Sequence, residues 1–214
     1  MTNKKSKGRP AQITRAEVIE CALQIGLSNV SMHTLGKQLG VSATALYRHV
    51  SSKEELIVCC SDYVIEKIEL PQEKEWDKYL YAFAENFRSV LLSYPNSVEF
   101  VRYNQQFTPA SSVLANDVLG VFRKSGFEAE VGFMAFASVY TRVTDIVQHQ
   151  EQAKLQPQTA SNQEPSSLID NTLPNLAWLL EQTKPVDYEK YFVDGIKITI
   201  EGLKVVYSQR NSEA

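Results

Sequence analysis

Three cysteines in 214 residues are too few for a disulfide framework, and with Cys59 and Cys60 adjacent and Cys21 far upstream they lack the spacing of a zinc site. They are expected to pack as thiols between helices; a redox role for Cys59 or Cys60 would require an exposed, low-pKa thiolate. The sequence also lacks a glycine-rich phosphate loop and a nucleophile elbow, and its three histidines, His33, His49 and His149, are scattered. Asp145 and His149, four residues apart, are the nearest approach to a metal-ligand pair, and a simple i,i+4 contact explains them better. No catalytic group, metal or cofactor is therefore expected, and the chain is not read as an enzyme. No run of about 18 apolar residues is present, and the Lys-rich N-terminus has no apolar segment behind it, so neither a helical membrane span nor a secretory signal is expected. A cytoplasmic location is the expectation.

What is present is an ordinary globular composition, 43% apolar and 22% charged, with an uneven distribution of charge. Residues 1–53 carry eight Lys and Arg against two Glu, a net +6, which leaves −9 for the rest of a chain whose total is −3. A basic module on an acidic body suits a DNA binder, since phosphate neutralisation supplies affinity while the acidic body stays off the duplex.

The informative stretch is Ser31–Lys53. Leu35, Leu39, Val41, Ala45, Leu46 and Val50 are spaced as two short helices meeting at an angle, with Gly40 where a helix C-terminus needs positive φ. Ser42 is an N-cap for a second helix, Ala43 to about His49, whose Thr44, Tyr47, Arg48 and His49 cannot all be buried. Helix, tight turn and helix with a polar outer face fit a DNA groove.

Leu35, Leu39-Gly40-Val41, Ala45-Leu46-Tyr47, His49 and Lys53-Glu54-Glu55-Leu56 together resemble the signature of the TetR (tetracycline-repressor-like) regulators. The dense resemblance covers roughly Ile13 to Leu56, about a fifth of the chain. It implies phosphate contacts for Tyr47, His49 and Lys53, with Ala43, Thr44 and Ala45 facing base edges and Ser42 and Lys37 nearby. Two alanines leave few hydrogen-bonding groups there, so thymine-methyl contact and help from His33 and Arg48 are expected to carry specificity.

Around this core, Met1–Pro10 is a basic arm without periodicity, read as a solvated tail or as an arm that follows the minor groove or backbone. Thr14 with Glu17 is a capping-box pattern for a first helix, and Val18, Ile19, Ala22, Leu23 and Gly26 share one face. Ser52 with Glu55 starts a connecting helix that runs to about Leu70 before Pro71. Helices are then expected over Trp76–Leu92, Ser97–Phe107, Pro109–Lys124, Glu128 to about Gln152, Leu173–Gln182 and Val186 to about Arg210. Trp178, Leu179 and Leu180 are expected anchors, and residues 154–172, rich in Gln, Ser, Asn and Pro, a mobile loop.

The last helix carries two apolar rows: Tyr188, Phe192, Gly195, Thr199, Gly202 and Val206, and beside it Ile196, Ile200, Leu203 and Tyr207. One row can fill the core while Gly195, Thr199, Gly202 and Val206 admit a partner helix, which implies a homodimer. The resemblance assigns the C-terminal domain to an effector, and Phe83, Phe87, Phe100, Tyr103, Phe107, Phe136 and Tyr140 are the candidates for an apolar or aromatic pocket.

The expected architecture is all-α. Residues 1–53 hold the basic arm and helix-turn-helix, and residues 54–214 the effector-binding and dimerisation domain. The expected function is a repressor that a small ligand releases from a palindromic double-stranded operator, with no membrane partner. By the resemblance, ligand binding tilts the connecting helix and changes the separation of two reading heads. A DNA binder without effector and a helical enzyme or ligand carrier with an accessory helix-turn-helix are the alternatives.

Overall fold

The computed structural model describes residues 13–104, 106–155, 173–182 and 184–210. Their regular structure is helical throughout: α1 (Arg15–Ile25), α2 (Met32–Leu39), α3 (Ala43–Leu46), α4 (Lys53–Glu66), α5 (Trp76–Ser93), α6 (Ser97–Tyr103), α7 (Pro109–Lys124), α8 (Ala129–Leu155), α9 (Pro174–Gln182) and α10 (Tyr188–Arg210). The described residues form two compact units, the first up to Ile68 together with Ser93–Ala115, the second Glu69–Leu92 together with the residues from Asn116 on. This division differs from the functional one drawn after residue 53, because α4 packs against α1 and α6.

In the first unit the caps act as their chemistry dictates. Thr14 accepts the N–H of Glu17 at 3.2 Å while the Glu17 carboxylate accepts the N–H of Thr14 at 2.7 Å, a reciprocal box that holds the Glu17 pKa below the usual carboxylate range. Ser31 and Thr34 make the same exchange at the start of α2. Glu55 departs from the expected box: Ser52 accepts its N–H at 3.1 Å, but its carboxylate takes the N–H of Ser51 at 2.6 Å and the guanidinium of Arg15 at 3.0 Å. Val18, Ala22, Leu35, Leu46, Leu56, Cys60 and Val64 are buried to nothing and form the core, with Val98, Phe100 and Val101 of α6. Four residues cannot hold a helix by themselves. α3 persists because Leu46 is fully buried, worth about 1.5–3 kcal/mol of hydrophobic stabilisation.

Three elements of this unit are shorter than their sequence patterns. α3 stops at Leu46, and residues 47–49 form a turn in which Arg48 and His49 donate to carbonyls three residues back. α4 ends at Glu66, four residues before Leu70: Lys67 and Ile68 close it with the same tighter bonds, and Pro71 disfavours helix in the residue before it. α6 stops at Tyr103, where Asn104 is extended.

The second unit is built on α5, α8 and α10, with α8 and α10 packed along much of their length. Phe192, Ile196 and Ile200 of α10 enter the core beside Val139, Val143, Ile146 and Val147 of α8. Phe122 lies against Gly132, and Trp76, Phe127 and Tyr207 join it in a second ring cluster with neighbouring centroids 5.3–6.0 Å apart. Asp77 of α5 is bound by the Lys204 ammonium of α10 at 2.7 Å. α10 starts at Tyr188, two residues later than its pattern, with Asp187 accepting the N–H groups of Glu189 and Lys190. α9 buries none of its residues, and the expected anchors Trp178, Leu179 and Leu180 are exposed, Trp178 at 63%, so they do not fill a core within the described residues. Most of the expected mobile loop, residues 156–172, lies outside the described residues, as does the basic arm.

Candidate nucleic-acid interface and effector region

The reading face is fixed from beneath. Gly40 closes α2 in the left-handed region at φ 68°, and the N–H of Val41 returns to the carbonyl of Gly36 at 2.9 Å. A Cβ on Gly36 would stand 2.8 Å from the carbonyl oxygen of Val41, so this turn requires glycine there for lack of room. Ser42 accepts the N–H of Ala45 at 3.3 Å and orients α3. With Leu35, Leu46 and Val50 buried, Ala43, Thr44, Tyr47 and Arg48 are exposed, and Ala45 and His49 are half-buried.

Ser42, Ala43, His33 and Lys37 line one shallow cleft with Met32, Gly36 and Val41. The geometry therefore brings these residues together where the sequence placed them. The side chains of Lys37, Arg48 and Lys53 are exposed and make no hydrogen bond or ion pair among the described residues. A cation held in no ion pair or side-chain hydrogen bond is available to a phosphate. Lys53 is the first helical residue of α4, next to the Ser52 cap that takes the N–H of Glu55.

The aromatic residues expected to form one pocket are divided between the units. Phe83, Phe87, Phe136 and Tyr140 form a cluster in the second unit, with Phe87 stacked on Tyr140 at 4.8 Å and Phe83 against Phe136 at 5.0 Å. Phe100, Tyr103 and Phe107 belong to the first. Phe83, Phe87 and Phe100 have no accessible surface, so they fill cores in this conformation instead of lining a space. Tyr103 and Phe107 stand in open grooves at 65% and 75% exposure.

The small-residue row on α10 is also redistributed. Gly195 is buried against its own chain: a Cβ there would lie 2.9 Å from the Arg142 guanidinium and 3.3 Å from the Ile146 side chain. Thr199 is half-buried and returns its hydroxyl to the Gly195 carbonyl at 2.9 Å. The face left open is centred on Ile198, Gly202, Val205 and Val206, and nothing lies within 4 Å of a Cβ on Gly202. On α8 the large exposed apolar residues are Phe133, Met134 and, at its C-terminal end, Leu155. Periodicity found both faces of α10, but it could not tell that an arginine from α8 closes over Gly195.

Asp145 and His149 approach to 4.0 Å, with Arg142 at 3.6 Å from the same carboxylate. Among the described residues no three His, Cys, Asp or Glu side chains are grouped to hold a metal, and no helix is long and apolar enough to cross a membrane.

Two family models match the chain: bacterial regulatory proteins of the tetR family over residues 19–58, and the tetracyclin repressor-like C-terminal domain over residues 70–207. An HTH-type transcriptional regulator of Saccharopolyspora erythraea is 26% identical over 162 residues, covering 70% of this chain and 68% of that protein. The HTH-type transcriptional repressor DrrR1 of Streptomyces coeruleorubidus is 23% identical over 235 aligned positions, 98% of this chain and 84% of that one. Among solved structures, a possible TetR family regulator from Streptomyces coelicolor superposes with a TM-score of 0.70 at 24% identity, covering 90% of this chain and all of that one. ActR of the same organism, in complex with actinorhodin, gives 0.70 at 23% identity, covering 91% and 98%. At these identities the solved structures speak for the fold.

Proposed function

The chain belongs to the TetR family of transcriptional regulators, and we propose that it is a homodimeric repressor released from a palindromic operator by a small apolar or aromatic ligand. It is a DNA-binding regulator of helix-turn-helix type. The observation that carries the residue-level reading is the reading face itself. Thr44, Tyr47 and Arg48 project from a turn whose apolar side is fully buried, and Lys37, Arg48 and Lys53 bring charges that no internal ion pair neutralises. In this reading Ala43, Thr44 and Ala45 face base edges, Arg48 and His33 assist, and Tyr47, His49 and Lys53 hold phosphates, with residues 1–53 as the DNA-binding part and 54–214 as the effector and dimer part.

The dimer reading rests on the open apolar face of α10, Ile198, Gly202, Val205 and Val206, together with Phe133 and Met134 of α8; two copies of each helix would form a four-helix interface. Thr199 borders that face, whereas Gly195 serves the core. For the ligand, the C-terminal family match and the ActR complex with actinorhodin support an aromatic effector, with the half-buried Tyr140 as the accessible member of a ring cluster in which Phe136 is itself buried. The complete burial of Phe83 and Phe87 favours the other reading, a regulator without an effector.

Selection of bound sites from random duplexes, followed by titration with and without ligand, tests both. The expected sites are inverted repeats with half-site centres one helical turn, about 10–10.5 bp, or a multiple of it apart. A true effector binds the operator complex less tightly by the same factor by which it weakens operator binding, typically about 5- to 150-fold. Compounds bound equally with and without operator would support the reading without an effector.

A further inference from the structure

We propose that a groove in the first unit, between α1, α4 and the residues leading into α7, binds a small organic cation with an aromatic or apolar body. The groove encloses about 410 Å³, within the roughly 300–1,000 Å³ of small-molecule sites. All its walls come from one compact unit, so it does not depend on the effector reading for the second.

Its chemistry selects the charge of the guest. Two carboxylates, Asp62 and Glu66, stand in the wall against a single cation, Arg15. Arg15 is itself held by a third carboxylate, its Nη2 lying 3.0 Å from Glu55 and 2.9 Å from the sulfur of Cys59, so its charge is already partly offset and the groove keeps an excess of negative charge. One oxygen of Asp62 accepts the N–H of Ala110 at 2.8 Å, and the other makes no hydrogen bond among the described residues. Glu66 is exposed, with only Lys67 near it at 3.8 Å. A neutral apolar guest would strip water from these carboxylates and return nothing.

The aromatic residues select the body. Phe107 presents most of its ring to the groove and to solvent, and Tyr63 lines the opposite helix. The rim already displays the same recognition in miniature: the Lys67 ammonium lies 4.5 Å over the Tyr63 ring and 3.8 Å from the Glu66 carboxylate. A guest ammonium or phosphonium would meet Asp62 and Glu66 while its apolar part covers Phe107.

Benzyltrimethylammonium and tetraphenylphosphonium are suitable probes, and neopentylbenzene is the uncharged isostere of the first. Calorimetric titration of the full chain gives affinity, and alkylation of Cys59 by iodoacetamide reports occupancy of this groove, with buried Cys21 and Cys60 as internal controls. Both cations should bind at least about tenfold more tightly than the isostere and slow alkylation of Cys59 several-fold. Asp62→Asn with Glu66→Gln, which keeps an acceptor for Ala110, should lose at least about tenfold in affinity together with the protection. Phe107→Ala, at an exposed position that folding does not need, should weaken binding several-fold. Absence of binding, equal binding of the isostere, undiminished alkylation of Cys59 at saturation, or full affinity in the double variant would each overturn the proposal.

Discussion

A Cβ built on Gly132 would lie 2.7 Å from the Cβ of Phe122, so the backbone of α8 rests directly on the root of an aromatic side chain in α7. The obstructing atom is anchored close to its own backbone and cannot swing aside. Gly132→Ala should therefore cost about 1–3 kcal/mol of overpacking, which outweighs the roughly 1 kcal/mol that alanine gains in a helix. Gly120, with nothing within 4 Å, has only the gain. Thermal melts should move in opposite directions, Gly132→Ala downward and Gly120→Ala upward; a rise in both would mean that the α7–α8 contact is looser than described.

Lys53→Ala should weaken operator and non-specific DNA alike and reduce the slope of log K against log salt by about 0.9 for each phosphate it leaves unneutralised. Thr44→Val should leave that slope unchanged and alter base preference near the middle of each half-site. Fluorescence anisotropy at several salt concentrations distinguishes the two. Exchange of these behaviours would reverse the assignment of phosphate-binding and base-reading residues.

For the dimer, Ile198→Glu and Val205→Glu should shift sedimentation towards the monomer at micromolar concentration, since a charge would be buried at the proposed contact. Gly195→Ala should leave association intact, because the atoms it meets first are the end of the flexible Arg142 side chain within the same subunit. If the glutamate variants sediment like the parent, α10 is not the association face.

The pair Asp77–Lys204 should make stability pH-dependent at both ends. Burial pushes the Asp77 carboxyl up, but the bond from Lys204, the backbone N–H of Lys78 and the Lys204 charge together outweigh it and hold its pKa below the usual value. The Lys204 pKa is raised, chiefly by its bonds to Asp77 and Glu201. A depressed acid stabilises above its unfolded pKa of about 4 and loses that contribution as pH falls through its folded value. A raised lysine stabilises below its unfolded pKa of about 10.4 and loses the contribution as pH rises through its folded value. Asp77→Asn should flatten both limbs of a melting-temperature profile, and an unchanged acid limb would show that other carboxylates govern it.

The signals legible in the sequence were those that act locally. The Thr14–Glu17 box, the Ser42 cap and the positive φ of Gly40 are decided within four residues, and each stands as the chain reads. The apolar rows named the buried faces for the same reason. What stayed hidden was identity across space: the Glu55 carboxylate prefers Ser51 and Arg15 to the Ser52 N–H, Arg142 closes over Gly195, and seven aromatic residues fall into different units. Periodicity states that a side chain is covered, never by what. The candidate DNA face was readable because its residues are contiguous, whereas a pocket depends on which rings leave room between them.

The first unit returns to the chain after an absence of 24 residues, taking α6 and the first turns of α7 back to α4, where Asp62 secures the N–H of Ala110. A fragment cut at Ile68 would thus expose the α4 surface that Val98, Phe100 and Val101 cover. Chimeras that graft this reading head onto another regulator must carry residues 93–115 with it. Recombination at the boundary that the amino-acid sequence suggests would sever a single hydrophobic core, so a new ligand specificity is more readily acquired here by substitution than by exchange of whole segments.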